Sequence, residues 1–211
     1  MPSRLNRAEN IYSSLDFSAL IEILKDRGRE IIISKGLIIR PSLNEILFIL
    51  DGEIVIQDDN EIAIGQSFPL MPVGLLETYY SETQLHYKAE SQVKAISINI
   101  DVFNELSALN QEITQLLFKI ISYMLISVVH VYYEVNTDTR YSVIRNMIYR
   151  YNIRTENNTL KEQNLSTFIL NRTKLSRSYI FKILSDLRVG GYITIERGKL
   201  ISINKHIPER Y

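Results

Sequence analysis

Cysteine is absent from this 211-residue chain, and its three histidines, His86, His130 and His206, stand far apart. Thiol redox chemistry, disulfides and iron–sulfur ligation are thereby excluded, and no H-x-H or H-E-x-x-H spacing gathers the histidines into a metal set. No nucleophile with a partner base and no phosphate-cradling glycine loop can be assembled either. An enzyme is therefore not expected, and neither a cofactor nor a metal is. What remains is recognition chemistry, and the cations suited to it lie late in the chain. Residues 1–134 hold 10 Lys+Arg against 18 Asp+Glu, whereas residues 135–211 hold 14 against 6. A formal net charge of zero thus conceals a segment of −8 followed by one of +8. Lys and Arg neutralise phosphates and release condensed counterions, so a compact basic segment of this size points to nucleic acid.

The order of residues in that segment sharpens the expectation. Asn164 to Asn171 reads as a short helix with Asn164 or Ser166 as its N-cap, followed by a turn through Arg172-Thr173-Lys174-Leu175. Ser176 caps the next helix, in which Ile180, Ile183, Leu184 and Leu187 form one apolar stripe and Arg177, Ser178, Lys182 and Ser185 take the open side. Gly190-Gly191 ends it. Residues 192–196 and 199–203 then alternate with period two about Arg197-Gly198, as in a β-hairpin. Helix, turn, capped helix and hairpin make a winged helix-turn-helix. Residues near the start of a recognition helix meet base edges in the major groove, which makes Arg177, with Ser178 and Lys182, the expected base readers. Thr167, Thr173, Lys174 and Ser176 at the helix ends, and Arg197 and Lys199 on the wing, are expected on the phosphate backbone, fixing register without reading sequence.

The run from Leu175 to Leu184, with Gly191-Tyr192-Ile193 and Gly198-Lys199-Leu200-Ile201, resembles the C-terminal domain of the cAMP receptor protein/FNR (CRP/FNR) superfamily of bacterial transcription regulators. Within it, Arg172 to Ser178 and Gly198 to Asn204 are similar to the orphan enterobacterial IprA branch. The resemblance is strong over the last 45 or so residues and loose before them. It implies that Arg177 matches a base-reading arginine and Lys182 a second base- or phosphate-contacting one. Ser178 replaces a base-reading glutamate of the cAMP-responsive members, so their operator does not carry over. Lys174 takes the place of a turn glycine, where a left-handed lysine would cost about 1 kcal/mol. Stress-response or virulence control and RNA polymerase as a further partner are what the resemblance suggests.

The front of the chain reads as β-rich. A short helix over Leu15 to Lys25 precedes β-branched runs at 30–33, 37–39, 46–50, 53–57, 61–64, 85–89 and 93–98, broken by Asp51-Gly52, Asp58-Asp59-Asn60, Gly65 and Pro69. Such spacing signals a sandwich or barrel, with Ile46 to Gln57 as its clearest hairpin. The order resembles the jelly-roll sensor domain of the same superfamily. Its cyclic-nucleotide-binding members surround the phosphate and ribose with a helix N-terminus, a glutamate and an Arg-Ser pair, since a buried phosphodiester needs a bidentate cation. Here no arginine occurs between Arg40 and Arg140; Gly74 and Glu77 are kept, and only Lys88 is offered as a cation. Binding of cAMP or cGMP is not expected.

Between these regions, Ile113 to Val135 carries two apolar seams: Ile113, Leu116 and Ile120, and Leu117, Ile121, Met124, Val128, Val131 and Val135. The second alternates spacings of four and three, which argues for pairing with a twin helix and names those six as the expected dimer interface. Gln115 and Lys119 inside the stretch, and no cationic flank, argue against a bilayer, and the N-terminus has no apolar leader. A second helix follows Asn136-Thr137-Asp138, capped by Thr137 or Asp138, with Tyr141, Ile144, Met147, Ile148 and Tyr151 inward, and residues 155–163 form a loop.

The expected architecture is α+β: a β-roll sensor-like domain over 1–107, a central dimerisation helix over 108–136, and a winged helix-turn-helix over 137–211. Pairing of the central helices would set two reading helices about one DNA turn apart, on a partly palindromic site. The expected protein is a cytoplasmic homodimer on double-stranded DNA, with no membrane association and an unknown small-molecule effector. Two alternatives stay open. One is a sensor gated by an apolar or neutral ligand, and the other is a winged helix that contacts protein in place of DNA.

Overall fold

The structure, a computed structural model, describes residues 4–82, 85–137, 139–156 and 163–211. It divides into two compact units, Met1–His130 and Val131–Tyr211.

The first unit begins with two helices, α1 (Arg4–Ser13) and α2 (Ser18–Arg27), where the sequence suggests one. Asp16 separates them, its carboxylate accepting from the Ser18 backbone N–H at 2.9 Å and from the Ser18 hydroxyl at 2.6 Å. Eight strands follow: β1 (Arg29–Ile33), β2 (Ile38–Ile39), β3 (Glu45–Asp51), β4 (Ile54–Gln57), β5 (Ala63–Gln66), β6 (Pro72–Val73), then helix α3 (Leu75–Tyr79), β7 (His86–Ala89) and β8 (Val93–Asn99). They form two antiparallel four-stranded sheets, ordered β1-β8-β3-β6 and β2-β7-β4-β5, which is a jelly roll. Two more helices complete the unit, α4 (Ile100–Leu109), capped by the Asn99 side chain on the Asp101 N–H, and the first twenty residues of α5 (Gln111–Val135).

The expected hairpin over Ile46 to Gln57 is not one. β3 pairs with β6 and β8, β4 pairs with β5 and β7, and the chain passes from one sheet to the other at Asp51-Gly52. Two features account for this. Ile46 to Ile49 are all buried, so β3 faces apolar neighbours on both sides: Ile46 and Phe48 join the cluster under α1, α2 and α5, while Leu47 and Ile49 face the second sheet. A hairpin with one wet face would strand half of them in water. Gly52, at φ +95, also brings its backbone so close to Gln92 that a Cβ would lie 2.3 Å from the Gln92 oxygen, which fixes the crossover.

The second unit holds the end of α5, then α6 (Arg140–Glu156), α7 (Leu165–Leu170), α8 (Arg177–Val189) and the hairpin β9 (Ile193–Glu196) and β10 (Lys199–Ile203). The inward stripe expected of α6 is buried throughout and packs with Phe168, Ile180, Ile183 and Leu200 in one core. Thr139 acts as the cap of α6, accepting from the Ser142 N–H at 3.1 Å. Asp138, one of the two expected caps, and residues 157–162 of the expected loop lie outside the described residues. The last turn of α5 is tied to α6 within this unit. Arg150 donates to the Glu134 carboxylate at 2.5 Å, Asn146 donates to the Glu134 carbonyl at 3.2 Å, and Val135 packs on the core.

Candidate nucleic-acid interface

Ser176 begins α8 by accepting from the Tyr179 N–H, so the first turn presents Arg177 and Ser178 outward while Ile180, Ile183, Leu184 and Leu187 face the core. The helix stops at two glycines with different tasks. A Cβ on Gly190 would meet the Tyr192 ring at 2.8 Å, and Gly191 takes φ +69 so that the chain can reverse into the hairpin. The wing turns through Arg197 (φ 48) and Gly198 (φ 81), both left-handed, the requirement of a two-residue type I′ turn. The Gly198 carbonyl accepts from the Leu165 N–H at 2.9 Å, pinning the wing tip to the start of α7.

The expected base readers share one exposed face of α8. Arg177, Ser178 and Lys182 all lie in its first two turns, and Arg197 and Lys199 are exposed on the wing. Thr167, Lys174 and Ser176 are exposed as well. Thr173 is not: it is buried, and its hydroxyl donates to the Ile169 carbonyl at 2.9 Å, so its side chain holds the turn closed and does not face a phosphate. Arg172 is buried too, its guanidinium stacked 3.9 Å from the centre of the Phe168 ring. Lys174 is not among the residues with positive φ, so the expected left-handed lysine does not occur and its strain does not arise. The turn reaches α8 without needing the family's glycine.

Two residues of this face went unnoticed in the sequence. Phe181 is half-exposed between Arg177 and Lys182, with the Arg177 guanidinium carbon 5.9 Å from its ring centre. Its position four residues after Arg177 was the available signal. Tyr211 folds back onto α8, where its hydroxyl donates to Asp186 and its ring lies 5.9 Å from the Lys182 ammonium. Nothing in the local pattern of the tail announces that contact.

Residues 140–209 match the family described as winged helix-turn-helix DNA binding. The chain is 46% identical over 44 residues to the Escherichia coli (strain K12) protein named "Inhibitor of hydrogen peroxide resistance", a match spanning 21% of each chain. Solved structures resemble almost all of it. A cyclic nucleotide-binding domain containing protein from Listeria monocytogenes superposes with a TM-score of 0.67 at 11% identity, covering 96% of this chain and 98% of that one. A candidate transcriptional regulator of the crp/fnr family from Eubacterium rectale superposes with a TM-score of 0.65 at 14% identity, over 92% and 93%. The fold is that of the CRP/FNR regulators. Its C-terminal domain is a winged helix-turn-helix.

In the CRP/FNR fold the roll and the long helix carry the remaining expectations. Glu77 is buried on α3, which starts from Gly74 at φ 94. Its Oε2 accepts from the Tyr87 hydroxyl at 3.2 Å, and its Oε1 has no hydrogen-bond partner among the described residues. Burial, with Glu77 beside it, pushes the Tyr87 phenol well above its ordinary value. Lys88 is half-exposed, and its ammonium lies 3.8 Å from Glu90. Among the described residues no group of three or more His, Cys, Asp or Glu is placed to hold a metal.

The six residues of the expected α5 seam differ among themselves in exposure. Leu117 is buried in the core of the first unit, Met124 is partly buried against it, Val131 is half-buried, and Val135 packs on the core of the second. Ile121 and Val128 are exposed, and they fall in register with Phe118, Leu125 and Tyr132, exposed by 65, 64 and 61%. The open apolar surface therefore holds a stripe of Phe118, Ile121, Leu125, Val128 and Tyr132, with spacings of three and four, beside the expected one and flanked by exposed Ile126, Val129 and Tyr133. The same four-and-three spacing runs through both stripes, so periodicity could not choose between them, whereas burial takes Leu117 out of the open surface. By length and composition alone α5 could cross a membrane, yet Ile113, Leu116, Leu117 and Ile120 are committed to a protein core.

Proposed function

We propose that this chain is a cytoplasmic transcription regulator that pairs through α5 and reads an inverted-repeat operator with α8, without a cyclic nucleotide as effector. The observation that carries the proposal is the exposed start of α8, where Arg177, Ser178 and Lys182 share one face beside a cationic wing. A helix presented this way offers a bidentate arginine to guanine and hydrogen-bonding groups to neighbouring bases. Lys174, Arg197 and Lys199 supply the phosphate contacts. The α5 stripe supports pairing with a second copy, because five apolar residues at three-and-four spacing are what a twin helix buries and what a monomer rarely leaves in water.

The absence of a nucleotide effector is supported by the roll itself. The chain offers no arginine between Arg40 and Arg140, and the Tyr87 hydroxyl already occupies one oxygen of Glu77. The relative's name suggests a part in the response to hydrogen peroxide. This sequence has no cysteine, so any peroxide signal reaches it by a route other than its own thiol.

The test is binding to fragmented genomic DNA, with sequencing of the bound fraction at two salt concentrations, for wild type and Arg177→Ala. A shared inverted repeat that is lost or relaxed in the mutant is the expected result. Salt-sensitive binding without any motif would refute direct readout.

A further inference from the structure

An interface built from phosphate contacts and hydrogen bonds has no use for a benzyl group in the middle of its cationic face. Phe181 is such a group. It is 49% exposed, and it is not among the apolar side chains packed on the core of its unit. It lies one turn after Arg177 and directly before Lys182, so the two cations bracket its ring. The cation–π placement of Arg177 over that ring keeps the arginine on the same face. Farther along α8 the exposed side chains are Ser185, Asp186, Arg188 and Val189, Asp186 being engaged by Tyr211 and Val189 standing at the last residue of the helix. Within the first two turns, the part of a recognition helix that meets base edges, the exposed apolar surface is the Phe181 ring.

The major groove presents a single apolar group on its base edges, the C5-methyl of thymine. We infer that Phe181 reads a thymine methyl and is a specificity-determining residue of the operator. The inference rests on the proposal that α8 reads DNA and adds one base to each half-site. Arg177 and Phe181 are four residues apart, about 6 Å along the helix axis. Successive bases rise by about 3.4 Å, so the thymine is expected within about two base pairs of the guanine met by Arg177.

The experiment selects operator duplexes from random DNA with the full chain, then replaces each thymine in turn by deoxyuridine, which lacks only the methyl group. One thymine per half-site should lose roughly three- to fivefold in affinity on replacement, the weight of one buried methyl, and both half-sites together roughly nine- to twenty-fivefold. Phe181→Ala should bind thymine and uracil duplexes equally while keeping the guanine preference. Phe181→Leu should retain part of the discrimination. If a motif is selected and is lost in Arg177→Ala, yet no uracil replacement distinguishes wild type from Phe181→Ala, the inference about Phe181 is overturned and direct readout stands. If no motif is selected, both fall.

Discussion

Leu125 and Leu117 lie on adjacent stripes of one helix, and truncating each to alanine should break different things. Leu125 is 64% exposed and Leu117 is 6% exposed. Full burial of a leucine side chain is worth roughly 1.5–3 kcal/mol, so the exposed two thirds of Leu125 would contribute about 1–2 kcal/mol when covered by a partner helix. Two-fold symmetry counts the residue twice, giving about 2–4 kcal/mol, or roughly a 30- to 1000-fold rise in the dimer dissociation constant of Leu125→Ala. Leu117→Ala instead opens a cavity in the roll, at about 2–5 kcal/mol of folding stability. Sedimentation equilibrium over a dilution series reads the first quantity. Denaturant unfolding at concentrations where the monomer dominates reads the second, because above them dimerisation itself adds to apparent stability. The reasoning is refuted if Leu125→Ala leaves the dimer constant unchanged while Leu117→Ala dissociates a protein that is still fully folded. That outcome would restore the seam read from sequence.

Two further expectations concern the roll. Addition of 1 mM cAMP should leave the melting temperature unchanged, and a rise of several degrees would show a nucleotide site that Glu77 and Tyr87 do not exclude. Tyr87 sets a pH response. Its folded phenol holds the proton more tightly than the unfolded one, so its contribution is complete below the unfolded value near pH 10 and is lost as pH rises above it. Denaturant titrations from pH 9 to 11.5 should show wild-type stability falling more steeply than that of Tyr87→Phe. At pH 7 the mutant should be weaker by roughly 1–3 kcal/mol, since the buried Glu77 loses its hydrogen-bond donor. Equal alkaline slopes would place the titrating group elsewhere.

The elements of the reading head were legible because each is signalled locally: a capping serine, a 3.6-residue stripe, paired glycines, and a two-residue turn between alternating strands. Local signals stop short of tertiary context, and that is where the expectations failed. Thr173 looks like a phosphate ligand by type, yet its hydroxyl is consumed by the Ile169 carbonyl one turn earlier. Ile46 to Gln57 looks like a hairpin because Asp-Gly is a strong turn signal, but a strand buried on both faces belongs in the middle of a sheet. On α5 the six expected positions divide between covered and open sides because the roll covers the side of Leu117 and Met124, which no count along the helix reveals.

Asp186 shows how the head resolves a conflict inside its own interface. It lies four residues after Lys182 on the exposed side of α8, and a bare carboxylate there would repel both phosphates and base acceptors. The Tyr211 hydroxyl donates to it, and that hydrogen bond, with the carboxylate charge beside it, raises the phenol above its ordinary value. The same ring lies near the Lys182 ammonium and packs 5.4 Å from Tyr141, whose own hydroxyl donates to the Pro208 carbonyl at 3.0 Å. The tail is therefore anchored to α6 before it reaches α8. Lys182, four residues before Asp186, has its ammonium 5.9 Å from the centre of the same Tyr211 ring. On the proposed reading, affinity and specificity are divided among different side chains of one small domain. The wing and turn cations would hold phosphates, while Arg177, Phe181 and Lys182 would face the bases.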